Sequence, residues 1–280
     1  MASATTRPKL TNTVEGVSSK GSWLTVTSSI IIITSIAISI LFQQTKPSLQ
    51  STHLFTTIVS YDPLIIHIEN FLTPGEVQHL LGLAQERYQP STVIDAETGQ
   101  HDRLASGRRS STAMLPRGDT VVHSVISRSA RFQGFVSEDQ FEQIQATRYL
   151  EGGEYVPHYD VLSTRHHSEQ ERAEVDAKNT TGRFERLTTI FAFLDDSCGA
   201  HCGTQFPRIA IDWDSEDKRW CEIVDCQART LTFRPRAGSA VFWKNLHDDG
   251  SLHEDTLHAG LPVQKGSKVG LNIWMREKLL

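Results

Sequence analysis

The chain lacks a surplus of positive charge. Its 28 Lys and Arg residues are outnumbered by 33 Asp and Glu, for a formal net charge of −5, so it offers no electrostatic footprint for nucleic acid or an acidic membrane surface. Any anionic ligand must be held by local positive groups. Cysteine is scarce: Cys198, Cys202, Cys221 and Cys226 are the full set, confined to one short region. Their spacing fits no zinc ribbon well. His201 keeps a zinc cluster open as a competing reading, but in an oxidising compartment disulfides are the default, with three pairings possible. No internal repeat or low-complexity block marks a repeat array. What is present, 280 residues with 38% hydrophobic content, suffices for one domain of about 200 residues plus an appendage.

Charge is also missing from Trp23 to Phe42, twenty consecutive residues rich in Ile, Ser and Thr. At about 1.5 Å per residue a helix of that length crosses a bilayer core. Arg7, Lys9 and Lys20 precede it against Glu15, and only Lys46 follows closely. The positive-inside rule therefore places residues 1–22 in the cytosol and the remainder in the secretory lumen, with 23–42 as an uncleaved signal anchor of a single-pass type II protein. The expected address is the endoplasmic reticulum membrane. The acceptor sequence Asn179-Thr-Thr181 agrees with a lumenal glycoprotein.

Residues 43–60 are polar and read as a stalk, with the folded domain, 61–280, starting near Tyr61. Leu64 to Ile68 reads as a strand. Thr73-Pro74-Gly75-Glu76 combines a capping box with proline at the first helical position, predicting a helix over Pro74 to Tyr88. A second helix is expected from Asp119 and a short third one from Ser137. From Gln145 the texture changes to short β-rich runs: Ala146–Leu150, Glu154–Leu162, Leu187–Leu194, Arg229–Phe233, Ser239–Trp243, Asp255–His258 and Lys268–Met275. The class is α+β, mainly β: a jelly roll with supporting N-terminal helices, preceded by one transmembrane helix. Between two strands, Ser163 to Arg183 is strongly polar. It reads as a solvated loop placed to close over a site as a lid.

His158 and Asp160 are the most informative pair. On a strand, residues two apart point to the same face, so an imidazole and a carboxylate can grip one metal from a single segment. His258 is placed to supply a third corner. Three ligands on one side leave coordination positions open for a cosubstrate and dioxygen, which separates an Fe(II) oxygenase site from a closed structural zinc site. Lys268, ten residues after His258, offers a cation for a dicarboxylate. The triplet alone is a poor signal, because His247/Asp249 and His253/Asp255 repeat it. The first of these lies in a polar turn, and the second is too near His258 to form a triad with it. Both are read as solvated turn or loop residues.

The ordered motifs Arg148-Tyr149-x-x-Gly152-x-x-Tyr155-x-x-His158-x-Asp160, Arg186-x-x-Thr189, Gly203-Thr204-x-Phe206-Pro207, Pro235-x-x-Gly238 and His258-Ala-Gly-x-Pro262-Val263-x-x-Gly266-x-Lys268 closely resemble the prolyl 4-hydroxylase family of 2-oxoglutarate/Fe(II) dioxygenases. The resemblance covers nearly all of residues 61–280. It implies His158, Asp160 and His258 as iron ligands and Lys268 as the partner of the distal carboxylate of 2-oxoglutarate. It further implies Tyr149 and Thr189 as hydrogen-bond partners of that carboxylate, Trp274 as a pocket wall, Arg109 as a holder of the peptide substrate and Tyr155 as a residue lining its channel. For Tyr149, Tyr155 and Trp274 the plain reading is core packing. The implied activity is hydroxylation of a peptidyl proline, with Fe(II), 2-oxoglutarate and L-ascorbate as cofactors and dioxygen as a reactant. The segment Cys198-Gly-Ala-His-Cys-Gly203 departs from the family pattern, which bears on the substrate groove and not on metal ligation. Two rivals stand beside this function: a related oxygenase acting on another side chain or a small molecule, and a catalytically silent peptide-binding jelly roll.

Overall fold

The computed structural model describes residues 53–94, 101–102, 107–162 and 183–279. The expected tail at 1–22, the apolar run at 23–42, most of the stalk and the loop carrying Asn179 lie outside those residues. Among the described residues no helix is long and apolar enough to cross a membrane.

In chain order the strands are β1 (Phe55–Tyr61), β2 (Leu64–Glu69), β3 (Gln89–Pro90), β4 (Val93–Ile94), β5 (His101–Asp102), β6 (Arg108–Arg109), β7 (Ser111–Met114), β8 (Gln145–Tyr149), β9 (Glu154–His158), β10 (Arg183–Asp195), β11 (Thr204–Ala210), β12 (Thr230–Phe233), β13 (Ala240–Lys244), β14 (His258–Gly260) and β15 (Lys268–Leu279). The helices are α1 (Pro74–Gln85) and α2 (Thr120–Phe132). Eight strands form one sheet in the order β1-β2-β13-β10-β15-β8-β7-β3, and five form a second in the order β12-β11-β14-β9-β6; a two-stranded ribbon joins β4 and β5. All named pairings are antiparallel. The result is the expected mainly-β arrangement with helices on one side.

The long pair β10/β15 organises the larger sheet because both strands are two-faced. Val269, Leu271, Ile273 and Met275 alternate with Ile190, Ala192 and Leu194 in a core shared with Val77 and Leu80 of α1 and Val122, Val125 and Ile126 of α2. Each such aliphatic side chain contributes about 1.5–3 kcal/mol on burial. The opposite face supplies Phe191 and Phe193, which pack with Trp243, Val241 and Ile65 against Phe206, Leu231 and Phe233 of the smaller sheet. The gap between the sheets is thus aromatic.

The helices are anchored by local chemistry. Thr73 caps α1 with a reciprocal capping box to Glu76, a contribution of about 1 kcal/mol. The same Glu76 accepts from Arg128 of α2 at 2.6 Å, and Arg128 also donates to the Phe71 carbonyl at 2.6 Å. One guanidinium therefore ties both helices to the loop entering α1.

Several expectations are corrected. Phe55–Tyr61, read as the end of the stalk and its junction with the domain, forms β1 and pairs with β2. It is an edge strand with little burial, so its β-branched residues carry no core signature. Thr204–Ala210, absent from the expected strands, forms β11 despite Pro207; the pairing with β12 shifts register between Phe206 and Ala210, which accommodates the proline. The expected strand Asp255–His258 is instead a 3₁₀ turn, Glu254–Thr256, followed by β14. The four cysteines pair as Cys198–Cys202 and Cys221–Cys226, which rules out the zinc-cluster reading for them.

Gly270 of β15 is required by a close approach. A Cβ there would lie 1.9 Å from Cζ of Phe191, a buried ring in the inter-sheet core. Gly270→Ala is expected to lower stability by about 1–3 kcal/mol through overpacking. Urea unfolding should also show a smaller loss when Gly270→Ala is combined with Phe191→Leu, and additive losses would refute this packing account.

Candidate active site

Strand register assembles the site from three cross-strand pairs. In the smaller sheet His258 of β14 lies opposite His158 of β9, with ring centroids 4.3 Å apart. In the larger sheet Thr189 of β10 faces Trp274 of β15, and Lys268 at the head of β15 faces Tyr149 of β8. Asp160, just past the end of β9, is buried in the gap between the sheets. One ligand atom each from His158, Asp160 and His258 lies within 4.8 Å of the others.

Hydrogen bonds aim these atoms. Nδ1 of His158 sits 2.8 Å from the Val156 carbonyl, and Nδ1 of His258 sits 3.0 Å from the Thr256 carbonyl. A carbonyl only accepts, so each Nδ1 carries the proton and each Nε2 presents its lone pair. Both Nε2 atoms face Asp160, at 3.9 Å from Oδ1 for His158 and 3.6 Å from Oδ2 for His258. Oδ2 accepts from Thr189 Oγ1 and from Trp274 Nε1, each at 2.9 Å. Thr189 in turn accepts from Asn245 Nδ2 at 3.0 Å, so its one proton is committed to Asp160.

The electrostatics suit a cation. Burial, with the adjacent His258, lowers His158 to about 3, which keeps the imidazole neutral and ligating. Burial would raise the Asp160 carboxyl, but His258, His158, Arg186 and the Trp274 hydrogen bond outweigh it and hold the group below the ordinary carboxylate range. Two neutral imidazoles and one carboxylate are the donor set that non-haem Fe(II) takes while keeping positions open.

Lys268 supplies the opposite charge. Its side chain is fully buried, donates to the Gly203 carbonyl at 3.2 Å and lies 5.0 Å over the Tyr149 ring. No carboxylate among the described residues pairs with it, and burial lowers its pKa to about 7. A Cβ on Gly260, two positions beyond His258, would come within 3.4 Å of Nζ. An ammonium with donors to spare, beside the metal-binding strand, fits an incoming carboxylate.

The remaining expected residues separate. Tyr149 is buried, and burial raises its phenol to about 12, so it stays a donor. Tyr155 stacks on His158 at 3.5 Å between ring centroids. The Thr189 hydroxyl donates to Asp160. Arg109 points outward, with its side chain 61% exposed, and pairs with Glu154 at 2.6 Å. Its neighbour Arg108 takes the inward place, with Cζ 4.6 Å over the Tyr155 ring and β6 registered so that Arg108 meets Tyr155. Three further residues lacked any assigned role in the sequence. Arg186 covers the Trp274 ring at 3.6 Å and is held by Glu142 at 2.8 and 2.9 Å, while Asn245 supports Thr189.

A profile of the 2OG-Fe(II) oxygenase superfamily matches residues 144–276, a span that contains all three ligand positions and Lys268. The Arabidopsis thaliana protein named Probable prolyl 4-hydroxylase 3 is 31% identical over 224 residues, covering 79% of this chain and 72% of that protein. The chain belongs to the prolyl 4-hydroxylase family. Prolyl 4-hydroxylase 5 of the same plant is 30% identical over 223 residues, covering 78% and 69% of the two chains. The crystal structure of the viral collagen prolyl hydroxylase from Paramecium Bursaria Chlorella virus-1, in its 2OG complex, superimposes with a TM-score of 0.50 at 22% identity, covering 76% of this chain and 95% of that one. That likeness identifies the fold as the jelly roll of these oxygenases.

Trp274 is hydrogen-bonded to Asp160, one of the three candidate metal ligands. Trp274→Phe keeps the ring but removes the hydrogen bond to Oδ2, and metal affinity is expected to fall roughly 10–100-fold. Titration with Mn(II) as a redox-stable substitute checks this; unchanged affinity would show the indole to be a wall only.

Proposed function

We propose that this protein is a membrane-anchored, 2-oxoglutarate- and Fe(II)-dependent hydroxylase of peptidyl proline. One observation carries the reading. Two oriented Nε2 lone pairs and a buried carboxylate converge on one point, and the fully buried ammonium of Lys268 has no carboxylate partner among the described residues. When bound, Fe(II) with 2-oxoglutarate would activate dioxygen, the oxidant: one oxygen atom would enter succinate as the cosubstrate loses carbon dioxide, and the other would turn a substrate C–H bond into C–OH. His158, Asp160 and His258 would hold the metal and leave the remaining positions open.

Lys268 would receive the distal carboxylate, in a setting where exclusion of water strengthens the attraction. The protonated phenol of Tyr149 lies beside that position. Arg108, Tyr155 and the Arg186–Trp274 stack are the groups proposed to position a peptide at the mouth. Phe206 and Trp243 pack behind His258, with ring centroids 5.8 and 4.7 Å from it, and keep that side of the site dry. Proline as the target is supported by the names of the plant relatives. L-ascorbate as the reductant is proposed on the family resemblance.

The proposed location is the endoplasmic reticulum membrane, with the catalytic part in the lumen and the N-terminal segment in the cytosol. The uncharged run Trp23–Phe42, the cations before it and the Asn179 acceptor support it, as do the two disulfides, which persist in an oxidising compartment.

Proline-rich peptides should stimulate succinate formation and lysine-containing peptides should not; the reverse would transfer the function to another side chain. His158→Ala and Asp160→Ala should abolish turnover. Arg108→Ala should reduce kcat/KM for peptide at least roughly tenfold, as loss of a buried charged contact does, whereas Arg109→Ala stays near wild type. Equal losses in both would reject the assignment of Arg108. Because the anion-free Lys268 titrates near 7, carboxylate binding above that pH requires proton uptake. The KM for 2-oxoglutarate should therefore rise with pH above about 7, approaching tenfold per pH unit. Lys268→Met should raise KM and flatten the profile, and a flat profile in the wild type would contradict the role given to Lys268.

A further inference from the structure

A second group of metal-ligating side chains lies outside the active site. Asp62 in the turn between β1 and β2, His247 in the turn after β13, and His253 each offer one ligand atom within 4.8 Å of the others. The sequence reading placed both histidines in solvated segments. For His247 that holds, but His253 is only 7% exposed. It contacts Asp62 of the β1–β2 turn, 191 residues away in sequence, a contact that no local pattern announces.

Three observations bear on what this group does. His253 Nε2 lies 2.8 Å from Asp62 Oδ1, a spacing that a shared ion can take over by replacing the hydrogen bond. The His247 and His253 rings stack with centroids 4.1 Å apart and planes 25° from parallel, which holds the two imidazoles side by side next to Asp62. Among the described residues the buried Nδ1 of His253 has no hydrogen-bond partner, an uncommon state for an enclosed polar atom.

We propose that Asp62, His247 and His253 form a second divalent-metal site, separate from the catalytic one. Two imidazoles with one carboxylate select borderline ions of the zinc class over magnesium or calcium, which prefer all-oxygen shells. The site is structural, since an ion there fastens the edge hairpin β1–β2 to the segment that leads into β14. That segment matters to catalysis. The His253 carbonyl accepts from Thr256 N at 3.0 Å and from Thr256 Oγ1 at 2.7 Å, and the Thr256 carbonyl orients His258 through Nδ1. An ion on His253 thus braces the residue that aims one of the catalytic ligands.

The test uses the full chain carrying His158→Ala, which removes a ligand from the first site, with Co(II) as a spectroscopic probe and Zn(II) as competitor. The expected result is uptake of one Co(II) per chain with visible d–d absorption, displaced by Zn(II). Adding His247→Ala or Asp62→Asn, both at exposed positions, should weaken uptake at least roughly tenfold with an unchanged circular dichroism spectrum. Zn(II) should raise the melting temperature of the His158→Ala protein and not that of the double variants. Absence of Co(II) uptake at micromolar concentration, or uptake that neither added substitution weakens, would overturn the proposal. Because the readout is metal uptake in a catalytically disabled protein, the outcome is independent of substrate identity.

Discussion

The carboxylate of Asp160 is the constraint around which the molecule is arranged. A charge withdrawn from water between two sheets persists only where surrounding groups compensate it. Here Thr189 and Trp274 of the larger sheet donate to one oxygen, while the two imidazoles of the smaller sheet turn their Nε2 lone pairs toward the carboxylate and leave the remaining charge for a bound cation. The donors reach it together because they are opposite one another in the β10/β15 register. The supporting layer follows the same logic, with Asn245 steadying Thr189 and the Arg186–Glu142 pair pressing the Trp274 ring into place.

Lys268 is the matching problem of opposite sign. It and Asp160 lie buried in one molecule without an ion pair between them; among the described residues the ammonium donates to the Gly203 carbonyl and lies over the Tyr149 ring. Two separated and incompletely compensated charges call for two ligands of opposite sign. A cation at the imidazole–carboxylate cluster and an anion at the ammonium meet that demand, and a metal chelated by a dicarboxylate supplies both together.

How much of this was legible in the sequence depended on the range of the signal. The His158-x-Asp160 spacing works because strand alternation is a local rule, and the alternation of Lys268, Gly270, Asn272 and Trp274 against Val269, Leu271 and Ile273 reveals both faces of β15 for the same reason. The capping box at Thr73 is likewise complete within four residues. Arg108 and Arg109 mark where local rules end: alternation says that they face opposite ways, but only the pairing of Arg108 with Tyr155 says which one turns inward. The bond from Thr189 to Asp160 was out of reach for another reason, because it joins segments 29 residues apart. The burial of His253 was hidden for the same reason, its contact being with a turn near the other end of the domain. β1 was missed because an edge strand with exposed side chains resembles a polar stalk in composition.

The two-residue period of β15 has an evolutionary corollary. Inserting or deleting a single residue between Lys268 and Trp274 would exchange the faces of one or the other, sending either the ammonium or the indole into the helical core and an aliphatic side chain into the cavity. Length changes in this strand are therefore close to lethal for the site, whereas the connections outside it can lengthen freely. Diversification of substrate choice in such a chain has to proceed through its loops, with the strand ladder kept at constant length.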